Sequence, residues 1–107
     1  MSHILNFIGL AKRAGKVAAG EVAVVATVQK KTTHLLIVST DASKNTKKKF
    51  NNSAAYYHIP IVEFGDKEAL GMAIGEEFRA VLSITDLGFA TKLISMIEAE
   101  TATNAES

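Results

Sequence analysis

Glu21-Val-Ala-Val-Val-Ala-Thr-Val-Gln29 is the stretch on which the fold turns. Its four valines and one threonine favour an extended strand, because β-branched side chains suit a pleated, half-buried surface. Ala23, Ala26 and the Gly20-Glu21 start allow a helix instead, with a carboxylate at the positive end of its dipole. Over so short a run, hydrophobic periodicity does not separate the two readings, and both stay open at this point.

The flanking segments are clearer. Upstream, Ile4, Leu5, Ile8 and Ala11, with Leu10 and Ala14, recur at helical spacing, and Lys12 and Arg13 suit the negative end of that helix. Gly15 stops it, and a short edge strand is expected at Lys16–Ala18. Downstream, His34-Leu-Leu-Ile-Val-Ser39 and Ala80-Val-Leu-Ser-Ile-Thr85 are continuous apolar runs that predict buried strands. Between them, residues 41–57 predict a loop and then a helix, with Phe50, Ala54 and Tyr57 on one face and Lys47 and Lys48 elsewhere. Ile59-Pro-Ile-Val-Glu-Phe64 predicts a short strand with Pro60 at its start. Asp66 caps a helix from Lys67 to Ile74, and Asp86 caps a last helix striped by Leu87, Ala90, Leu93, Ile94 and Ile97.

Short strands alternating with helices imply an α/β fold, specifically a three-layer α-β-α sandwich around about four strands. The 107 residues make one domain, expected at 1–99, with the small, polar segment 100–107 expected to fray. There is no cysteine, which removes disulfides, cysteine metal ligands and a thiol nucleophile. No apolar run approaches the ~20 residues needed to span a bilayer. The first residues lack the pattern of a signal peptide, so the cytoplasm is the expected location.

Charge is divided unevenly. Residues 1–60 hold nine Lys/Arg against two acidic residues, Glu21 and Asp41, whereas residues 61–107 hold three against nine. The net charge of +1 therefore hides a basic half and an acidic half, an asymmetry that points to a polyanionic partner. The densest basic run is Lys44-Asn-Thr-Lys47-Lys48-Lys49.

Catalytic readings fare poorly. Gly15-Lys-Val-Ala-Ala-Gly20 has the glycine spacing of a phosphate-binding loop, but Glu21 and Val22 stand where Lys and Ser/Thr are needed. His3, His34 and His58 lack metal-ligand spacing. Glu76 and Glu77 are adjacent and so do not face each other on a helix. The expectation is a non-enzyme without cofactor or metal. Tyr56 and Tyr57 read as one packed and one surface ring.

Five segments in order then carry a resemblance: Gly15–Gly20, Leu36-Ile-Val-Ser-Thr-Asp41-Ala, Asn45-Thr-Lys-Lys-Lys49, Leu70-Gly-Met-Ala-Ile-Gly75 and Ala80-Val-Leu-Ser-Ile-Thr-Asp86-Leu-Gly-Phe-Ala90. Over about residues 3–97 the chain resembles the kink-turn-binding ribosomal protein family of the L-seven-Ae and L-thirty-e type, and within it the bacterial YlxQ-like branch. The resemblance implies a four-stranded mixed sheet, a helix for the valine-rich segment, and RNA binding without catalysis. It also implies a first RNA contact at the helix start after Gly20 (Gly20, Glu21, Val22), with Lys16 preceding it. A second lies on the turn from Ile74 to Arg79, with Gly75 and Phe78, over an unstacked nucleotide. Lys30 and Lys67 match the family's phosphate contacts, and Lys44, Lys47 and Lys48 join the basic footprint. Members that read tandem sheared G·A pairs carry Asn-Glu and then Lys where this chain has Val22, Ala23 and Ala26. Base readout there loses its side-chain hydrogen bonds, while phosphate attraction survives. The expected partner is structured RNA, ribosomal or kink-turn-like, with the ribosome as its setting. The competing expectation is a protein–protein adaptor that uses Val22, Ala23 and Val24 as an apolar contact.

Overall fold

The computed structural model describes residues 2–106, so Met1 and Ser107, which belong to the expected domain and tail, lie outside the described residues. Nine elements follow one another: α1 (His3–Arg13), β1 (Val17–Ala19), α2 (Glu21–Gln29), β2 (Leu35–Val38), α3 (Lys44–Tyr57), β3 (Ile61–Glu63), α4 (Lys67–Ala73), β4 (Val81–Ile84) and α5 (Leu87–Glu106). The sheet order is β1-β4-β2-β3. Strand β4 is antiparallel to both its neighbours, and β2 is parallel to β3. The sheet is therefore mixed and four-stranded, as the sequence and the resemblance imply. The edge strand falls one residue later than expected, because Lys16 N–H turns back onto the Ala11 carbonyl at 2.9 Å instead of joining the sheet.

Alternation along the strands builds two cores. Leu35, Ile37, Leu82 and Ile84 point to one face, where Ile4 and Ile8 of α1, Leu70 of α4 and Leu93 and Ile97 of α5 cover them. Leu36, Val38 and Val81 point to the other, where Val24 and Val28 of α2 and Phe50 and Ala54 of α3 cover them. All residues of β2 and β4 are buried, as expected for strands sandwiched between helical layers.

The valine-rich segment is a helix for a tertiary reason. Val24 and Val28, one turn apart, enter the second core, whereas Val22, Ala23 and Ala26 face outward. Packing overrides the strand preference of the valines. Gly20 makes the entry possible: its φ of 87° and ψ of 155° lie in a region essentially closed to side-chain-bearing residues. Helix α5 is continuous from Leu87 through Glu106; it holds no proline, and its one glycine, Gly88, sits in the first turn, where it costs the helix least.

One polar feature sits inside the second core. Ser83 of β4 is fully buried, and its hydroxyl meets those of Thr27 (2.9 Å) and Thr33 (2.8 Å), which are themselves 3.0 Å apart. The triangle ties α2 and the segment leading into β2 to the central strand. Ser83→Ala should cost about 1 kcal/mol in a urea titration, because Thr27 and Thr33 keep each other as partners. A loss above about 3 kcal/mol would mean that the triangle acts as one unit.

Candidate nucleic-acid interface

Because β1, β2 and β3 all run the same way, the three helices that follow them all begin at one end of the sheet. Helix amides carry positive partial charge at their starts, so this end is electropositive before any side chain is counted. A chain of backbone contacts binds the loops there. Gly20 N–H donates to Val81 O (3.3 Å), Ser39 N–H to Ala80 O (2.8 Å), Thr40 N–H to Gly65 O (2.7 Å) and Arg79 N–H to Lys67 O (3.0 Å). Lys67 N–H donates to Asp41 Oδ1 at 3.0 Å. Gly20, Asp41, Lys67 and Arg79 thus belong to one surface, although the sequence spreads them over sixty residues.

The helix starts differ in one respect. Side chains cap α1 (Ser2), α3 (Ser43), α4 (Asp66) and α5 (Asp86). Helix α2 begins at Gly20 with no side-chain cap, and Val22 stands 88% exposed beside it. Its first amides are therefore open to an external acceptor.

Helix α3 adds charge of an unexpected sign. Its first turns carry Lys44, Lys47, Lys48 and Lys49 and no acidic residue, although cations oppose the dipole there. Two of the four are engaged internally. Lys47 Nζ donates to Thr40 O at 2.8 Å and pairs with Glu63 at 3.2 Å. Lys49 lies 3.9 Å from Glu21, which offsets the one carboxylate at the α2 start. Lys44 and Lys48 are exposed and have no carboxylate partner among the described residues.

The turn from Ile74 to Arg79 runs back along α4. Gly71 makes this possible by contact rather than by torsion: a Cβ there would stand 1.3 Å from Glu77 O. Ile74 is buried in the first core, Gly75 is exposed at the apex with φ 74°, and the Phe78 ring is 64% exposed. Glu76 clamps the turn through Arg79 (2.7 Å) and Lys12 of α1 (3.4 Å). Phe78, Met72, Glu68, Glu76 and Glu77 line a shallow groove, so an aromatic face is offered among carboxylates.

The candidate residues therefore fall into two groups. Gly20, Glu21, Val22, Lys44, Lys47, Lys48, Lys67 and Arg79 are at this end, with Phe78 next to Arg79, while Ile74 and Gly75 lie at the C-terminal end of α4 on the turn that leads back to it. Lys16 and Lys30 are not at this end. Lys16 O accepts from Thr85 N–H (2.9 Å), beyond the far end of β4, and Lys30 closes the C-terminal end of α2. Strand direction and helix length carry them away, a consequence that spacing along the chain does not reveal. Lys47 is reached by sequence reasoning but is bound to its neighbours rather than free. Val24, expected in an apolar contact with Val22 and Ala23, is fully buried, because with Val28 it anchors α2 to the sheet. Sequence reasoning missed the Asp41–Lys67 link that closes the surface.

Residues 2–94 match the Ribosomal protein L7Ae/L30e/S12e/Gadd45 family. The chain belongs to this family. It is 41% identical over 91 residues to RNA-binding protein YlxQ of Bacillus subtilis (strain 168), covering 85% of this chain and 91% of that protein. To RNA-binding protein YlxQ of Enterococcus faecium it is 39% identical over 94 residues, covering 88% and 90%. A solved structure of a protein of unknown function from Bacillus halodurans superposes with a TM-score of 0.88 at 39% identity, covering 92% of this chain and 99% of that one. The Giardia lamblia 15.5kD RNA binding protein shares the fold, with a TM-score of 0.74 at 21% identity over 92% and 91% of the two chains. Among the described residues no helix is long and apolar enough to cross a membrane, and no cluster of metal-ligating side chains occurs.

Two carboxylates of this surface are perturbed. Slight desolvation pushes Asp41 up, but the Lys67 N–H and the Lys67 charge hold it below its ordinary value. Desolvation likewise raises Glu76, and the bonds and charges of Arg79 and Lys12 outweigh it. A carboxylate held low in the folded chain stabilises it above the ordinary carboxylate range and loses that contribution as pH falls through the folded value. Urea midpoints should therefore hold steady from neutrality and fall below about pH 4, with a shallower fall in Asp41→Asn. Gly71→Ala should cost at least about 3 kcal/mol, because the backbone of the turn must move. Circular dichroism melting would measure it, and an unchanged melting temperature would contradict the packed turn.

Proposed function

We propose that the chain is a non-catalytic RNA-binding protein that grips structured RNA, kink-turn-like or ribosomal, mainly by phosphate contacts and with weakened base readout. The uncapped start of α2 carries this reading. Open amides at a positive helix end receive phosphate or base-edge acceptors, and Lys44 and Lys48 add mobile cations beside them. Lysines at the start of α3 run against its dipole, a local cost that a polyanion would offset. The relatives named for RNA binding and the family shared with ribosomal proteins support the same partner. The cytoplasm and the ribosome are its proposed setting.

Val22, Ala23 and Ala26 define the specificity. None of their side chains offers a donor, an acceptor or a charge to a base edge. Phe78 and the turn around it would then meet an unstacked base through ring contact and shape, which RNA recognition favours. The 88% exposure of Val22 is the observation that favours the adaptor reading, but one exposed valine next to one alanine is ordinary protein surface.

If about five phosphates are neutralised, log affinity should fall with log salt at a slope between about −3.5 and −4.5. Lys44→Glu with Lys48→Glu should weaken binding at least tenfold at low salt in a filter-binding assay. Salt-insensitive binding, or no loss in the double variant, would sink the phosphate grip. A kink-turn should be preferred over a plain duplex by less than about tenfold. Val22→Asn, Ala23→Glu and Ala26→Lys together should raise that preference by one to two orders of magnitude, since each good bidentate pair contributes ~1–3 kcal/mol of discrimination. Val22→Asp leaving RNA binding intact while abolishing a protein complex would favour the adaptor.

A further inference from the structure

The opposite end of the sheet carries a second cavity, of about 690 Å³, where α2 and α3 end and α5 begins. Its place follows from the topology. His34 N–H donates to Ile84 O at 2.8 Å, so the cavity opens at the far end of β4, about 16 Å along the sheet from Ser39 at ~3.3 Å per residue. Gln29, Lys31, His34, Tyr56, His58 and Leu87 are among its walls, and none of its lining residues is acidic. The nearest carboxylate in sequence, Asp86, is turned onto the Phe89 N–H at 2.9 Å. Tyr56 is 78% exposed, and its ring is braced edge-on by Tyr57 at 4.9 Å between centroids.

Two further observations single out this end. Lys31 (φ 62°) and His58 (φ 58°) are the only non-glycine residues with left-handed backbone among the described residues, and both line this cavity. Helix-ending positions of this kind are usually glycine, as a Cβ is unfavourable there. Here both helices stop on side chains that carry a nitrogen donor. Lys16 and Lys30, which strand direction carries away from the Gly20 surface, belong to this same end. Neither they nor Lys31 has a carboxylate partner among the described residues.

We infer that this cavity is a second RNA contact, which takes an unpaired segment with one base stacked on Tyr56 and its phosphates near Lys30 and Lys31. A braced, exposed aromatic ring beside free cations is the combination that single-stranded nucleic acid uses, because every base offers a π-face and every linkage a charge. The volume lies within the range of small-ligand pockets and suits one or two nucleotides rather than a helix. Charge selects the occupant: the one charged lining residue is Lys31, Lys30 adjoins it and no carboxylate lines the cavity, which favours a polyanion over an apolar peptide. The inference rests on the proposed function only in taking RNA as the polymer; its residues are separate from those of the Gly20 surface.

The test uses the intact chain with two probes, fluorescein-labelled hexauridine and a blunt kink-turn hairpin without overhang, followed by fluorescence anisotropy at low salt. Tyr56→Ala removes an exposed ring and leaves the core untouched. It should weaken hexauridine binding by about five- to 150-fold, the range that one stacked base commands, and leave the hairpin unchanged. Lys30→Glu should weaken hexauridine and steepen no other loss. Lys44→Glu with Lys48→Glu should do the reverse, weakening the hairpin and sparing hexauridine. If the hairpin binds and hexauridine does not, this inference fails while the proposed function stands. Hexauridine binding that survives Tyr56→Ala, or a Tyr56→Ala loss shared equally by both probes, also overturns it. A protein complex lost in Tyr56→Ala with hexauridine unaffected would assign the cavity to a protein and overturn it as well. No binding of either probe would remove both readings.

Discussion

The ladder on both sides of β4 is the constraint on which the molecule depends. Four buried residues, Val81 to Ile84, pair with β2 on one side, and Leu82 to Ile84 pair with β1 on the other. Alternate side chains enter opposite cores, so one strand sets the depth of both helical layers. Its antiparallel course between β1 and β2 also sends every parallel strand toward the same end. Once that is fixed, α2, α3 and α4 must begin together, and their dipoles must add. The electropositive end is a result of topology before it is a result of lysines.

Electrostatics at that end is resolved pair by pair rather than by total charge. The carboxylates that would repel a phosphate are largely occupied: Glu21 faces Lys49, Asp41 receives the Lys67 amide, and Glu76 is held by Arg79 and Lys12. As exposed ion pairs these contribute little to stability, since solvent screens them. Their effect is on the field at the α2 start, where the positive end of a helix is left unopposed. The same bookkeeping lowers the number of cations free to act. On α3, Lys47 is bound to Thr40 and Glu63 and Lys49 faces Glu21, so Lys44 and Lys48 remain.

The element order is legible from patterning, because the buried strands are short unbroken apolar runs and Asp66 and Asp86 mark helix starts beside them; the cap at Ser43 emerges only from the structure. The valine-rich segment was not legible from its residues. Strand propensity and helix packing oppose each other there, and the deciding partners, Leu36, Val38 and Val81, lie far along the chain. The resemblance supplied what local chemistry withheld. For the candidate site, residue type was readable and placement was not. A lysine in sequence carries no record of which end of a strand it occupies, and Lys16 and Lys30 lie a strand or a helix length away from Gly20. Likewise no spacing announces that Gly71 must be glycine; the reason is the returning backbone of Glu77.

Separation of the basic residues into two ends changes what the loss of polar side chains at positions 22, 23 and 26 means. On a single surface, replacing base-reading groups with valine and alanine would simply lower discrimination. With a second, aromatic-walled cavity at the far end of the same sheet, discrimination can be restored by geometry. An RNA that satisfies both ends must present a structured element and an unpaired segment at a separation set by the length of β4 and β2. In the proposed two-contact arrangement each end alone would tolerate any sequence, as phosphate attraction and stacking do. Joined by a rigid sheet, the second contact becomes intramolecular and is favourable only for an RNA of the right span. Specificity in this reading resides in the distance between two weak contacts, and that distance is fixed by the buried strand rather than by any surface residue.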